Sequence, residues 1–222
     1  SLLVSQQNNV EVVQKISELW TENDGSALTP AQLKGISDKG SKTARLGVAR
    51  YLSDRGQADL AANMLRVSDD DGDKGEAADA KALYATALYK QGNAAGARAI
   101  ADQILASDKN NIDALLLRAR IALRQRDLTA ALNDAQIVVR DFPMSEQGRI
   151  LLAEIYLAKQ DPQRARQTYE EGISENPQSI IISRTYAQYL LKAGDSARAI
   201  DVARTYARKS PSSVPGWELL AF

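Results

Sequence analysis

The sequence predicts an all-α fold, a solenoid of stacked two-helix hairpins, and three observations carry the prediction. Ala85, Ala119, Ala153, Ala187 and Ala221 recur every 34 residues. Ala97, Ala131, Ala165 and Ala199 recur at the same step in a second register. Pro143, Pro177 and Pro211 recur in a third and mark where helices must stop. A fixed period of this length is the mark of a repeat architecture, in which each unit buries its apolar face only against its neighbours.

With position 1 set at Ala78, Ile112, Glu146, Ile180 and Val214, each unit reads as helix A, tight turn, helix B and short linker. The alanine registers are positions 8 and 20, where the two helices of a hairpin cross. A small side chain there lets the axes approach to the short end of the roughly 8–10 Å range; a larger one strains the stack. Asn93, Asp127, Asp161 and Asp195 recur at position 16 as N-caps of helix B, and Pro162 follows one of them at the first helical position. Gly92 and Gly194 precede two caps and suit the left-handed residue that closes helix A. Arg126 and Gln160 hold that place in the other units, so those turns are expected to be tighter or slightly strained. The prolines fall at position 32, past helix B.

Upstream the register continues with a slip. Ala49, Gly56 and Ala61 fit positions 8, 15 and 20 of a unit starting near Lys42. The two extra residues before Ala78 fall in a polar inter-repeat loop, Asp69–Glu76. The expected repeats are thus about 42–77, 78–111, 112–145, 146–179 and 180–213. Residues 1–41 do not match; Val10, Val13, Ile16, Leu19 and Trp20 share one helical face, which suggests a helical cap or degenerate repeat. Residues 214–222 open a further helix A, with Trp217, Leu220 and Ala221 at inward positions. That apolar half-repeat leads to the expectation that the natural chain continues beyond Phe222. The start at Ser1 leads to the same expectation upstream.

Composition narrows the function. The 222 residues are 44% hydrophobic, and 28 Lys+Arg balance 28 Asp+Glu to a net charge of +0. A neutral chain has no long-range field to gather nucleic acid or an acidic membrane. No apolar run is long enough to cross a bilayer, so direct membrane insertion is not expected. Cys and His are both 0, which excludes Cys/His zinc sites, cysteine nucleophiles and histidine acid–base chemistry. No Gly-rich phosphate loop, nucleophile elbow or paired-carboxylate motif appears. No catalytic, cofactor-binding or metal-binding residue is therefore expected. In the acidic loop, taking Gly72 as the glycine of a calcium loop puts Val67 first and Ala78 last, and neither is a ligand.

The motifs carry a family resemblance over residues 42–222. Leu88-Tyr89-Lys90-Gln91-Gly92-Asn93 followed by Ala97, and Leu190-Leu191-Lys192-Ala193-Gly194-Asp195 followed by Ala199, resemble the turn of the tetratricopeptide repeat (TPR) proteins. Glu175-Asn176-Pro177 and Lys209-Ser210-Pro211 resemble its linker, and Trp217 with Leu220-Ala221 its opening. Lys81, Leu115, Arg149 and Ser183 depart from the large aromatic frequent at position 4, and Arg118 from the apolar residue usual at position 7. The alanine- and glutamine-rich style resembles bacterial envelope and secretion-linked members, a slight lean toward the cell envelope over the cytoplasm.

The resemblance implies a right-handed superhelix whose concave wall, made of A helices, binds a peptide segment or protein. It would place positions 2, 5, 9, 12 and 13 on that wall, the last four giving Leu46, Ala82, Leu116, Ile150 and Arg184; Arg50, Thr86, Arg120, Glu154 and Gln188; Tyr89, Leu123, Leu157 and Leu191; and Lys90, Arg124 and Lys192. This is an apolar stripe with a basic margin, suited to a segment with apolar anchors and some acidic residues. Position 12 also suits plain packing between repeats, and a basic position 13 also suits a helix C-terminus. The family's two-carboxylate clamp is missing, since positions 5 and 9 pair as Leu46/Arg50, Ala82/Thr86 and Leu116/Arg120. The expected function is a non-catalytic protein-interaction scaffold in a larger bacterial assembly. The alternative is a structural spacer or a module that self-associates through its open C-terminal end.

Overall fold

The computed structural model describes residues 42–54, 57–65 and 74–210. The expected cap over 1–41, the turn at Gly56 and the half-repeat at 214–222 lie outside the described residues. Among the described residues there are ten helices and no strand: α1 Lys42–Asp54, α2 Ala58–Leu65, α3 Lys74–Lys90, α4 Ala94–Ser107, α5 Ile112–Arg124, α6 Leu128–Asp141, α7 Glu146–Ala158, α8 Pro162–Glu175, α9 Ile180–Lys192 and α10 Ser196–Lys209. The chain divides into two compact units, Ser1–Leu117 and Arg118–Phe222.

Within the first unit α1 packs on α2, α3 on α4, and α3 also on both helices of the hairpin before it. Within the second, α7 pairs with α8 and α9 with α10, and α9 packs on both α7 and α8. Hairpin partners are consecutive in sequence, as a repeat array requires. Part of the expected acidic loop is helical. Lys74, Gly75 and Glu76 already belong to α3, because Lys and Glu ahead of an alanine-rich run favour helix and one glycine costs only about 1 kcal/mol.

The alanine registers are the crossing points. Ala85, Ala119, Ala153 and Ala187 are buried, as are Ala97, Ala131, Ala165 and Ala199; Ala49 and Ala61 continue both series. A third buried series, Ala101, Ala135 and Ala203, is interrupted by Tyr169. Three residues after that tyrosine, Gly172 stands where the other B helices carry Ile104, Val138 and Tyr206. The Ile182 Cδ1 methyl and the Arg149 stem occupy the space over Gly172, 3.2 and 3.4 Å from where a Cβ would be. Helix α8 has exchanged its large and small positions, and the packed volume survives the exchange.

The turns are near-copies of one another. In all four, the residue at position 15 has positive φ: 89° at Gly92, 65° at Arg126, 60° at Gln160 and 82° at Gly194. The next amide then reaches back five residues, Asn93 to the Leu88 carbonyl and Asp127, Asp161 and Asp195 to Ala122, Tyr156 and Leu190, each at 2.9 Å. This closes helix A as a Schellman motif. The same residue opens helix B: the Asn93, Asp127, Asp161 and Asp195 side chains accept from the amides of Gly96, Ala130, Arg164 and Arg198 at 2.9–3.2 Å. Arg126 and Gln160 therefore do not tighten their turns. They adopt the glycine conformation at a cost of roughly 1–2 kcal/mol each. Gln160→Gly should stabilise the second unit by about 0.5–1 kcal/mol, and Gly194→Ala should destabilise it by a similar amount. A Cβ at Gly194 meets nothing within 4 Å, so the penalty is conformational alone. Urea midpoints of the two variants check this.

A second cap series opens helix A. The side chains of Asn111, Ser145 and Ser179 accept from the amides of Ala114, Gly148 and Ile182 at 3.0–3.1 Å. Pro143 and Pro177 stand in the linker just ahead of these caps, beyond the ends of α6 and α8. Helices α4 to α10 are thus each opened by a side-chain cap, and their hairpins hold a repeated geometry on which a surface can be built.

Two departures from the repeat pattern become ion pairs inside a hairpin. Arg118 on α5 grips Asp134 on α6 with Nε and Nη2 at 2.7 and 2.8 Å, a bidentate pair of the stronger kind. Arg149, its side chain 5% exposed, reaches Glu171 and Glu175 of α8; its Nε finds no partner.

Candidate partner-binding face

In the second unit, helix α9 sends Ile182, Ser183, Tyr186, Ala187 and Leu190 inward. The opposite face then carries Ile181, Arg184, Gln188 and Leu191, spaced three or four residues apart as one helical stripe. All four are exposed, Ile181 at 46% and Leu191 at 41%. On the adjacent α7 the equivalent stripe is Gln147, Ile150, Glu154 and Leu157, with Gln147 and Glu154 exposed and the two apolar residues half-buried. On the part of α5 that belongs to this unit, Arg120 and Arg124 are exposed and Leu123 is half-buried. Lys192 is exposed at the end of α9. A face with outward aliphatic groups and arginines is what a peptide with apolar anchors needs.

Glu154 occupies the middle of this face. It is exposed, yet the protein around it pushes its carboxyl above the ordinary value, and the Arg120 guanidinium opposes that push in part. Burial disfavours the charged form of an acid, and a nearby cation favours it. Close by is a stack of three tyrosines. Tyr169 of α8 lies 5.1 Å from Tyr186 and 6.1 Å from Tyr189, ring centre to ring centre. Burial first, and then the charge of Glu154, push the Tyr169 hydroxyl well above the usual phenol range. The Tyr186 hydroxyl donates to Glu170 at 2.8 Å.

In the first unit, Arg50 is exposed and Leu46 and Tyr89 are half-buried. Two residues are corrected. Leu116 is only 7% exposed, so it is core rather than an open anchor. Lys90 is tied to the preceding hairpin, its Nζ donating to the Ser53 carbonyl at 2.7 Å and hydroxyl at 3.0 Å. An ammonium there closes the last turn of α1, where free carbonyls favour a cation. Sequence reasoning missed Ile181 as part of the face. Ile181 had a signal, since it shares position 2 with Asp113 and Gln147.

Among the described residues, no group of acidic side chains is arranged to hold a metal ion, and no helix is long and apolar enough to cross a membrane.

The sequence pattern described as tetratricopeptide repeat matches residues 46–112 and 116–180, more than half of the chain. The chain belongs to the tetratricopeptide repeat family. TPR arrays are protein-interaction scaffolds, and in general they are non-catalytic modules. Solved TPR structures share the fold. The thermophilic TPR protein TTC0263 of Thermus thermophilus is 15% identical, with 82% of this chain and 97% of that one covered at a TM-score of 0.65. MamA from Desulfovibrio magneticus RS-1 (residues 41 to its end) is 16% identical, with 78% and 97% covered at 0.54. At these identities the likeness concerns the fold alone. Among curated proteins, no sequence matches the chain.

Proposed function

We propose that this TPR array is a non-catalytic scaffold that binds a peptide segment of a partner protein along its A helices, within a larger bacterial assembly. The observation that carries the reading is the outward stripe on α9, with Ile181 and Leu191 exposed at either end of Arg184 and Gln188. Large aliphatic side chains are costly to leave in water at about 25 cal/mol per Å² of apolar surface, and a bound segment would cover them. The face of the second unit is basic apart from Glu154, so the segment should combine apolar anchors with acidic residues.

Arg120→Glu with Arg124→Glu reverses two of the cations. It should abolish partner capture by the full-length protein while leaving the helical circular dichroism unchanged. Crosslinking mass spectrometry on the captured complex should place the partner against α5, α7 and α9. Binding that survives the double reversal, or crosslinks confined to B helices, would overturn the proposal. A mass that rises with concentration in light scattering would instead favour the spacer or self-association reading.

A further inference from the structure

In the second unit, off the A-helix stripe, a cleft of about 310 Å³ opens where α8, the end of α9 and the bend before α10 meet. It is lined by Arg166, Tyr189, Leu190, Ala193, Gly194 and Asp195. The sequence explains why it is open and polar. One period earlier, where α6 meets α7, the places of Arg166, Tyr189, Ala193 and Gly194 are held by Leu132, Ile155, Lys159 and Gln160. Two long side chains at the bend have become small ones, and a Cβ on Gly194 would meet nothing within 4 Å. An apolar pair, of which Ile155 is fully buried, has become an arginine and a tyrosine, both half-buried.

The charges in the cleft are not equally engaged. The Asp195 carboxylate accepts from the Arg198 amide at 3.2 Å and lies 3.7 Å from the Arg198 guanidinium. The Arg166 guanidinium remains open. Its Nε reaches the Pro162 carbonyl at 3.4 Å, beyond the ordinary N–H···O range of about 2.7–3.2 Å. Arg166 makes no other hydrogen bond or ion pair among the described residues. Glu170, one turn along the same helix, accepts from the Tyr186 hydroxyl at 2.8 Å instead. A half-buried guanidinium has lost part of its hydration and presents a planar fork of donors, which a carboxylate fills with two parallel hydrogen bonds. The volume lies at the low end of the roughly 300–1,000 Å³ of small-molecule sites. It suits one side chain or one chain end rather than a larger metabolite.

We propose that this cleft is a receptor for a single carboxylate of a protein partner, held by Arg166 and admitted by the small residues Ala193 and Gly194. The carboxylate comes from a Glu or Asp side chain or from a chain terminus. The receptor is a point of attachment separate from the A-helix wall, since none of its residues belongs to the stripe of Ile181, Arg184, Gln188 and Leu191.

The test is a nuclear magnetic resonance titration of the isotope-labelled chain with three tripeptides, read at the amides of Ala193, Gly194 and Asp195 and at the Arg166 Nε–H. Acetyl-Gly-Glu-Gly amide carries its acid on a side chain, acetyl-Gly-Gly-Gly carries it at the terminus, and acetyl-Gly-Gln-Gly amide carries none. At least one acidic peptide should shift these signals saturably, and the neutral one should not; which acidic peptide binds separates side chain from terminus. Arg166→Gln should weaken the binding at least about tenfold. Ala193→Gln should do the same, because it refills the cleft and leaves the arginine in place. Ala193 is exposed and Arg166 half-buried, and circular dichroism verifies that both variants fold. Arg120→Glu/Arg124→Glu should bind the tripeptides as the wild type does, so the wall and the receptor fail separately. No saturable shift with either acidic peptide, equal shifts with the neutral one, or undiminished binding by Arg166→Gln overturns the receptor. Undiminished binding by Ala193→Gln overturns it as well, since the arginine alone would then suffice.

Discussion

Removing Glu171 and Glu175 together should cost the second unit about 3 kcal/mol, whereas Arg149→Met should change its stability by less than about 1 kcal/mol. The asymmetry follows from where the charge is buried. The Arg149 side chain is 5% exposed, while Glu171 and Glu175 are 49% and 41% exposed. The two glutamates give up little hydration; the guanidinium has given up nearly all of its own. Taking both acids away strands a buried cation. Their open positions let water approach, which keeps the expected loss at the low end of the range for breaking a buried pair. Methionine keeps most of the aliphatic stem that packs over Gly172 and removes the Nε that has no partner. Urea unfolding of each variant, followed by far-UV circular dichroism, gives the comparison. A double glutamate variant as stable as the wild type would show that the pairs contribute nothing.

Tyr169→Ala is the second large effect, about 3–5 kcal/mol, as for other large aromatic truncations in a core. The ring is buried between hairpins, stacked on Tyr186 and near Tyr189. It also holds a place that α4, α6 and α10 fill with alanine, so its neighbours have already arranged themselves around a large side chain. The facing tyrosines are rigid and cannot close over the gap, and Gly172 one turn further on offers no side chain to move into it. Tyr169→Phe retains the ring and should stay within about 1 kcal/mol of the wild type. Hydrogen exchange should localise the loss to α7, α8 and α9, since repeat arrays couple mainly to nearest neighbours. A loss below about 1 kcal/mol for the alanine variant would mean that the stack is not a packing element.

The repeating parts of the fold were legible because their cause is local and recurs. An alanine at a helix crossing, an Asn or Asp that caps, and a proline that stops a helix each act within a few residues, and each reappears 34 residues on. Asn111, Ser145 and Ser179 obey the same logic and were readable in principle; serine is common enough to hide such a series. The exceptions were not readable. Arg149 stood out as a departure, but its partners depend on which turn of α8 faces it. Tyr169 and Gly172 make sense only as an exchange of sizes, visible once the helices are packed. For the candidate face, the period named a helical stripe on α7 and α9 whose Glu154, Arg184 and Gln188 are exposed. It did not show that Leu116 is covered or that the Lys90 amine is held by Ser53, since both depend on the neighbouring hairpin.

Asn93, Asp127, Asp161 and Asp195 each finish one helix and begin the next, so the hairpin has no slack at its bend. One inserted residue there would turn the whole second helix by about 100° and swing its crossing alanine toward solvent. Insertions and deletions should therefore be lethal to the hairpin at the bend and harmless in the joints between hairpins. The spacing from Lys42 to Ala78, two residues longer than the period, shows the array already using that freedom. Such a chain evolves by adding or losing entire hairpins and by varying its joints, while the angle inside each hairpin stays inherited.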